Sequence, residues 1–530
     1  MSEIVGDNYL TAGKDSGTSF WKTWLFSVDH KRIGVMYLFA ILVFFIVGGI
    51  FATLIRLEHL TPSQTIMTAQ MYNITFTLHG SIMVFLFIIP GILASFGNFL
   101  VPLMIGAKDV IFPRLNLLSF WIFCIGSIVC LISLLAPVDT GWTFYTPYSI
   151  ESQTNVIMIT FGVFLLGMSS ILTGINFIVT IHKLMAPGMS FNNLPLMCWS
   201  LYATAIIQVL STPVVGITLI LLIFERWFGL GFFDPAKGGD PILFQHFFWF
   251  YSHPAVYLMI LPAMGVISEV LPVFSKKPIF GYKAIAYSSV GIAVISFLVW
   301  GHHMFTSGQS QLINIIFSLL TFLVAIPTAI KVFNWLATMY RGSIELSTAM
   351  LYSLAFIFLF TIGGTTGMHL AALATDVHLH DTYFIVAHFH YTMVGGTVFG
   401  LMSALHFWYP KMWGRMFNET KAKIAFVFVF IGFNLTFYPQ FVIGTLGGPR
   451  RYFNYDPQFQ GIHQLSTLGS IMLAIGILYM FHVLLKPLPG KAEKNPYNSK
   501  SLEWQTDSPP PTLNFDTIPT VKGTTYDYSD

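Results

Sequence analysis

Residues Asp376–Tyr391 read DVHLHDTYFIVAHFHY and place His388 and His390 two positions apart, inside an apolar run that continues to Tyr409. On an α-helix, such positions differ by roughly 200° around the axis. The two imidazoles therefore leave opposite flanks of one rod, and a single helix can serve two separate cofactors. Two polar side chains bonded to neighbouring helices would look the same in isolation, so the remainder of the chain has to decide.

The chain has 530 residues, of which 55% are hydrophobic and 9% charged, and its mean hydropathy is +0.70. A water-soluble domain of this size would not tolerate that balance. An all-α membrane protein is expected, a twelve-transmembrane-helix bundle, because twelve apolar segments are long enough to cross roughly 30 Å of hydrocarbon as helices of about 20 residues. They run over 34–56, 74–104, 115–137, 156–181, 197–226, 244–272, 284–305, 311–338, 347–371, 383–410, 423–446 and 464–486. A transmembrane barrel would instead show alternating segments of about 10 residues. Sorting the 26 Lys and Arg by loop puts 21 on the side of the termini and leaves only Arg56, Arg226, Lys237, Arg450 and Arg451 on the other. The excess predicts both termini cytoplasmic. The net charge of +3 then reports topology and not nucleic-acid affinity.

Residues 1–26 and 487–530 are polar and rich in Pro, Gly and Ser, and read as cytoplasmic segments flanking one catalytic helical domain, 27–486. No cleavable signal peptide is expected at the N-terminus. Cys124, Cys130 and Cys198 lack ligand spacing and read as core residues. The long outer loops 138–155, 227–243 and 447–463 carry many aromatics and are expected to pack as lids.

Six histidines inside predicted spans share one depth. His79, His253, His388 and His390 fall roughly 8 to 14 Å below the outer boundary at about 1.5 Å per residue. His302 and His303 lie within about a turn of the outer end of theirs. Unrelated core histidines would have no reason to occupy one layer, so these read as ligands. On a helix His302 and His303 would be about 100° apart, able to converge on one small ion with His253. Three neutral imidazoles with an open position suit copper or zinc, and redox work favours copper. One of His388 and His390 can be the sole axial ligand of an open haem, while the other shares a closed haem with His79. Tyr257 stands one turn after His253, where a phenol could supply an electron and a proton to a gas bound between the metals.

FWFYSHPAVY, WGHHMFTSG, HDTYFIVAHFHY, FGNFLVPLMIGAKDVIFPRLN and GGPRRY together resemble subunit I of the haem–copper terminal oxidases, from about Asp29 to His463. The resemblance implies that His79 and His390 ligate a low-spin haem, His388 a high-spin haem, and His253, His302 and His303 copper. Tyr257 then corresponds to the tyrosine linked covalently to the first copper histidine. It further implies that Arg56 bonds a formyl group, suggesting haem a, and that Arg450 and Arg451 neutralise propionates. His380 and Asp381 match magnesium ligands, and Asp376 a propionate neighbour. Lys331 with Thr328 matches one proton inlet, and Asp109 with Asn98 and Asn116 the mouth of a second. The implied partners are a subunit II with a dinuclear copper centre, subunit III and other respiratory subunits, cytochrome c as electron donor and O2. The implied location is the bacterial inner membrane.

This chain departs from many members in one respect. Ala255 stands where they carry a glutamate, and the preceding Tyr251–Ser252 pair matches the subgroup that places hydroxyls there. A quinol oxidase is the nearest alternative, but its His and Gln upstream of the haem ligand are replaced by Met71 and Ile74. Nitric oxide reduction with non-haem iron is disfavoured by Tyr257. A transporter would be expected to show half repeats and broken helices, and would leave the common histidine depth unexplained. If Tyr251 and Ser252 relay protons, replacing them by Phe and Ala should slow oxygen uptake at saturating reductant; unchanged uptake and proton movement would refute that relay.

Overall fold

The computed structural model describes residues 8–12 and 19–528; parts of the expected N-terminal segment, 1–7 and 13–18, lie outside the described residues. Among the described residues, the principal helices follow one another in chain order. They are α1 His30–Glu58, α2 Ala69–Ile105, α3 Pro113–Ile132, α4 Val156–Leu184, α5 Leu196–Phe228, α6 Pro241–Ser275, α7 Tyr282–Ser296, α8 Gln311–Met339, α9 Thr348–Ala371, α10 Tyr383–Phe407, α11 Glu419–Thr445 and α12 Gln460–Leu485. Among the described residues, eleven helices are long and apolar enough to cross a membrane, and α7, with 15 residues, is shorter. The seventh expected span is thus built in two pieces: α7 ends at Ser296, and a 3-10 turn covers Trp300–Met304.

Start signals match the helices that form. Asp29, Thr68, Asp240, Ser310, Ser347, Thr382 and Asn418 each accept a hydrogen bond from a first-turn N–H, satisfying donors that a helix leaves free. The most apolar windows of α2 and α6 are 94% and 89% buried, against 28% for α1 and 11% for α8. The first two are therefore interior rods, and the latter two present side chains such as Phe39, Leu319 and Phe333 outward, as a lipid-facing surface requires.

α2 and α10 depart from regular α geometry. α2 is π-helical over Ile82–Ile88 and Leu93–Gly97, and α10 over Met393–Val398. Each helix enters its π segment three residues after a histidine singled out above. Such bulges re-aim the turns around them and recur at functional sites.

α10 is held between α9 and α11. A Cβ on Gly444 of α11 would collide with the backbone nitrogen of Phe384 in the first turn of α10, and Tyr391 donates to Asn434 of α11 at 2.8 Å. Of the three long aromatic-rich loops, 138–155 packs down on the bundle: Arg226 donates to the carbonyls of Ser149, Ile150 and Ser152, and Trp142 packs on Gly80 and on Trp249; loop 227–243 departs from the expected lid and leaves Trp227, Phe228 and Phe232 exposed. At the opposite end the C-terminal segment runs across the helix ends, burying Trp504, Asn514 and Tyr526.

Gly444→Ala should push α10 from α11 and lower the thermal stability of the purified protein by about 1–3 kcal/mol, the scale of overpacking. Gly49→Ala, with no atom within 4 Å of the added Cβ, is the control; equal midpoints for the two variants would refute the close approach.

Candidate metal and haem centre

His253 projects from the middle of α6. The 3-10 turn after α7 brings the other two imidazoles to it, with His253 Nδ1 3.1 Å from His303 Nε2. Ligand atoms of His253, His302 and His303 all lie within 4.8 Å of one another, the one such group of three or more metal-ligating residues among the described residues. A 3-10 turn spreads successive side chains by about 120° where an α-helix gives about 100°, so the adjacent pair diverges slightly more than α-helical spacing predicts. Gln309 pins the turn by donating to Gly301 O at 3.1 Å and Met304 O at 2.8 Å. His303 stacks on Trp249 at 3.8 Å, and His302 Nδ1 meets Thr321 of α8 at 3.0 Å. His253 Nε2 is buried without a partner, beside the ring of Tyr257 at 4.9 Å between centroids. A buried unpartnered imidazole nitrogen is costly, and three convergent imidazoles suit a borderline metal ion, so the donor set fits copper.

The two histidines of α10 do leave opposite flanks. His388 turns to α9, where its Nδ1 meets Thr366 Oγ1 at 3.1 Å and its ring lies against Gly367. His390 turns to α11, stacked on Phe437 at 4.1 Å, with Nδ1 2.8 Å from Val386 O. On α2, His79 Nδ1 is 2.9 Å from Gly48 O. In all three the δ nitrogen is engaged, so the ε nitrogen keeps its lone pair for a metal, the usual outer arrangement of a ligating imidazole. His79 lies within electrostatic reach of His390, and His388 within reach of His302. These residues fit two haems, one on each flank, with the His388 flank facing the triad.

Arg56 is buried; its Nη2 donates to His463 O at 2.8 Å and to Thr467 at 3.3 Å, while its Nε has no partner. Arg450 pairs with Asp381 at 2.6 Å. Arg451 lies over Phe76 instead, at 5.8 Å, and burial followed by the charge of Arg450 pushes its pKa down to about 10. His380 Nδ1 is 2.9 Å from Asp376 Oδ2; burial opposes its charge, but the Asp376 carboxylate outweighs this and raises its pKa. Burial likewise opposes the charge of Asp381, yet Arg450 holds its carboxyl below the ordinary range. Asp381 and Arg451 both adopt left-handed backbone, φ 56° and 66°, uncommon for a residue like Arg and frequent where function fixes geometry.

Lys331 is fully buried and points inward, donating to Ser289 Oγ at 2.7 Å and Ile285 O at 3.0 Å on α7; it does not snorkel. Thr328, one turn before it, returns its hydroxyl to Val324 O. Asp109 lies in the loop between α2 and α3, its carboxylate accepting from the Val110 N–H at 2.7 Å, and burial pushes its pKa up to about 7. Both side-chain polar atoms of Asn116, and Oδ1 of Asn98, are buried without a protein partner, as is Ser252 Oγ. Polar groups in that state are ordinarily satisfied by water. A cavity of about 30 Å³ is bordered by Tyr37, Ser169, Thr173, Gln208 and Tyr251 among apolar side chains such as Phe85, Leu93 and Phe123, with room for a water. Ser289 and the Tyr37–Ser119–Ser169–Thr173 cluster escaped the sequence reading. A signal existed for the second: Ser169, Thr173, Asn176 and Thr180 make a polar stripe at helical spacing in apolar α4.

The family model of cytochrome c and quinol oxidase polypeptide I matches residues 32–472. Cytochrome c oxidase subunit 1 of Thermostichus vulcanus is 45% identical over 515 residues, 96% of this chain and 93% of that protein. The protein of the same name from Synechocystis sp. is 47% identical over 508 residues, covering 95% and 92% of the two chains. That of Cereibacter sphaeroides is 40% identical over 540 residues, covering 94% and 95%. A cryo-EM structure of a heme-copper terminal oxidase dimer superposes with a TM-score of 0.75 over 88% of this chain and 85% of that one, at 22% identity, a likeness of fold. With geometry and sequence in agreement over most of its length, the chain belongs to the cytochrome c and quinol oxidase polypeptide I family.

Proposed function

We propose that this chain is the catalytic subunit of a respiratory terminal oxidase that reduces O2 to water with electrons from cytochrome c. The observation that carries the reading is the convergence of His253, His302 and His303 on the flank of α10 from which His388 projects. His79 and His390 would hold the low-spin haem, His388 the high-spin haem, and the triad one copper ion. When bound, these groups supply the redox chemistry that joins O2, four electrons and four protons into two waters. Tyr257, whose ring lies 4.9 Å from that of His253 between centroids, would give a proton and an electron, and would correspond to the tyrosine that the family links to that ring. Arg56, with its spare Nε, would bond a haem formyl, favouring haem a; Arg450, Arg451 and Asp376 would border the propionates. His380 and Asp381 would hold magnesium with ligands from a neighbouring subunit.

The protons would come from the side of the chain termini, by Lys331 and Thr328 with Ser289 on one route, and by Asp109, Asn98, Asn116, the α4 hydroxyls, Tyr251 and Ser252 on the other. Both termini would then be cytoplasmic in a twelve-helix arrangement in a bacterial inner membrane, with α7 and its 3-10 turn making the short seventh crossing. Charge moved against about 100 mV stores about 2.3 kcal/mol per elementary charge, so uptake from one side, and pumping, would conserve the reaction's free energy. The dinuclear copper centre that receives electrons would be on subunit II, with subunit III completing the assembly. Met71, exposed at the start of α2, and Ile74 offer no polar recognition of a quinol head group.

His302→Ala should remove the copper and abolish oxygen uptake while leaving the visible band of the low-spin haem; retained copper in the purified variant would contradict the triad. For Asp109, a protonated-carboxyl infrared band should be present below pH 7, titrate away near pH 7 and be absent from Asp109→Asn. A carboxylate already ionised by pH 5 would contradict its buried placement.

A further inference from the structure

We infer that Asn514, in the C-terminal segment, is a positioning residue for proton uptake, holding the loop that carries Asp109 against the first turn of α1. The inference rests on the reading of Asp109 as an inlet. Asn514 is fully buried, more than 400 residues away in sequence from the atoms it holds. Its Nδ2 donates to Ala107 O at 2.8 Å and Lys108 O at 3.2 Å, the two carbonyls immediately before Asp109, and lies 2.9 Å from His30 Nε2. Its Oδ1 accepts from Lys31 Nζ at 2.7 Å.

Each neighbour extends the clamp. His30 accepts at Nε2, so its Nδ1 carries the proton and donates to Asn98 O at 2.6 Å; Asn98 is the second polar residue of the same route. Lys31 also binds Thr512 O at 2.9 Å and Asp29 at 3.0 Å. Around Gly106 the C-terminal segment adds apolar contact, with Pro519 and Leu502 bordering the position a Cβ would take. One amide thus ties together the Asp109 loop, the start of α1 and, through His30, the backbone at Asn98.

The backbone explains why an asparagine stands here. Asn514 has φ 67°, a left-handed conformation that Asn tolerates and most residues avoid. Its side chain satisfies the buried carbonyl of Ala107, a group whose loss of a partner costs more than a lost exposed bond. Chain ends rest loosely on a domain unless tied down; this one is tied at the residue pair preceding the inlet carboxylate.

Two variants separate position from mere folding. Asn514→Gly keeps the left-handed backbone and removes the side chain; Asn514→Asp keeps the shape and the Lys31 contact but removes both N–H donors. In the assembled enzyme with a normal haem spectrum, both should speed deuterium uptake of residues 106–112 and lower kcat about tenfold, the scale of a lost buried hydrogen bond, with KM for the electron donor unchanged. Either change should add little to the loss caused by Asp109→Asn, since both act on one step. Unchanged exchange in 106–112, faster exchange with unchanged kcat, or losses that multiply in the double variants would overturn the inference. Full turnover by Asp109→Asn alone would instead remove the inlet reading, and this inference with it, even with loop exchange raised.

Discussion

A neutral imidazole inside an apolar bundle must place both of its nitrogens, because leaving one buried and unpaired costs about 1–3 kcal/mol. The structure resolves this for the site histidines by engaging one nitrogen and directing the other. Gly48 O, Val386 O and the hydroxyls of Thr366 and Thr321 take the δ nitrogens of His79, His390, His388 and His302. Those partners come mostly from neighbouring helices, so helix packing fixes where each free nitrogen points. The centre is therefore an outcome of the bundle's architecture and not of local sequence alone.

That dependence accounts for the tightness around α10. The backbone of its first turn touches Gly444 of α11, and Gly363 of α9 would place a Cβ 2.7 Å from Thr392. A helix so confined cannot rotate without collision, which holds His388 and His390 on opposite flanks. Loop 138–155 covers one end of the bundle through its contacts with Arg226 and through Trp142, and the C-terminal segment closes the other through Asn514 and Tyr526, whose hydroxyl donates to Glu269 at 2.6 Å. Glu269 in turn accepts from the Met197 N–H at the start of α5, so the same segment also secures a helix end that lacks a side-chain cap of its own.

Much of this was legible in the residues. The i, i+2 spacing of His388 and His390 translated directly into opposite flanks, because a helix converts spacing into angle, and span length followed from hydrophobic runs. The HHM turn was less legible: WGHHMF continues an apolar segment, and nothing local announces that α7 stops at Ser296. The turn depends on Gln309 reaching back to Gly301 and Met304 and on Gly301 lying against Phe317 of α8, contacts that arise only when the bundle closes. The π segments of α2 and α10 are hidden for the same reason, being set by packing within ordinary apolar sequence. Ser289 became visible only when α7 lay beside Lys331. The clamp at Asn514 joins residues from three distant stretches, and no spacing rule reaches that far.

The central claim is that α10 separates a closed haem from an open one that faces copper. The most direct measurement is the visible spectrum of the reduced enzyme before and after carbon monoxide. The account predicts two haems per chain, only one of which shifts its bands with the gas, the other remaining six-coordinate through His79 and His390. Absence of haem, or an equal response from both, would contradict it.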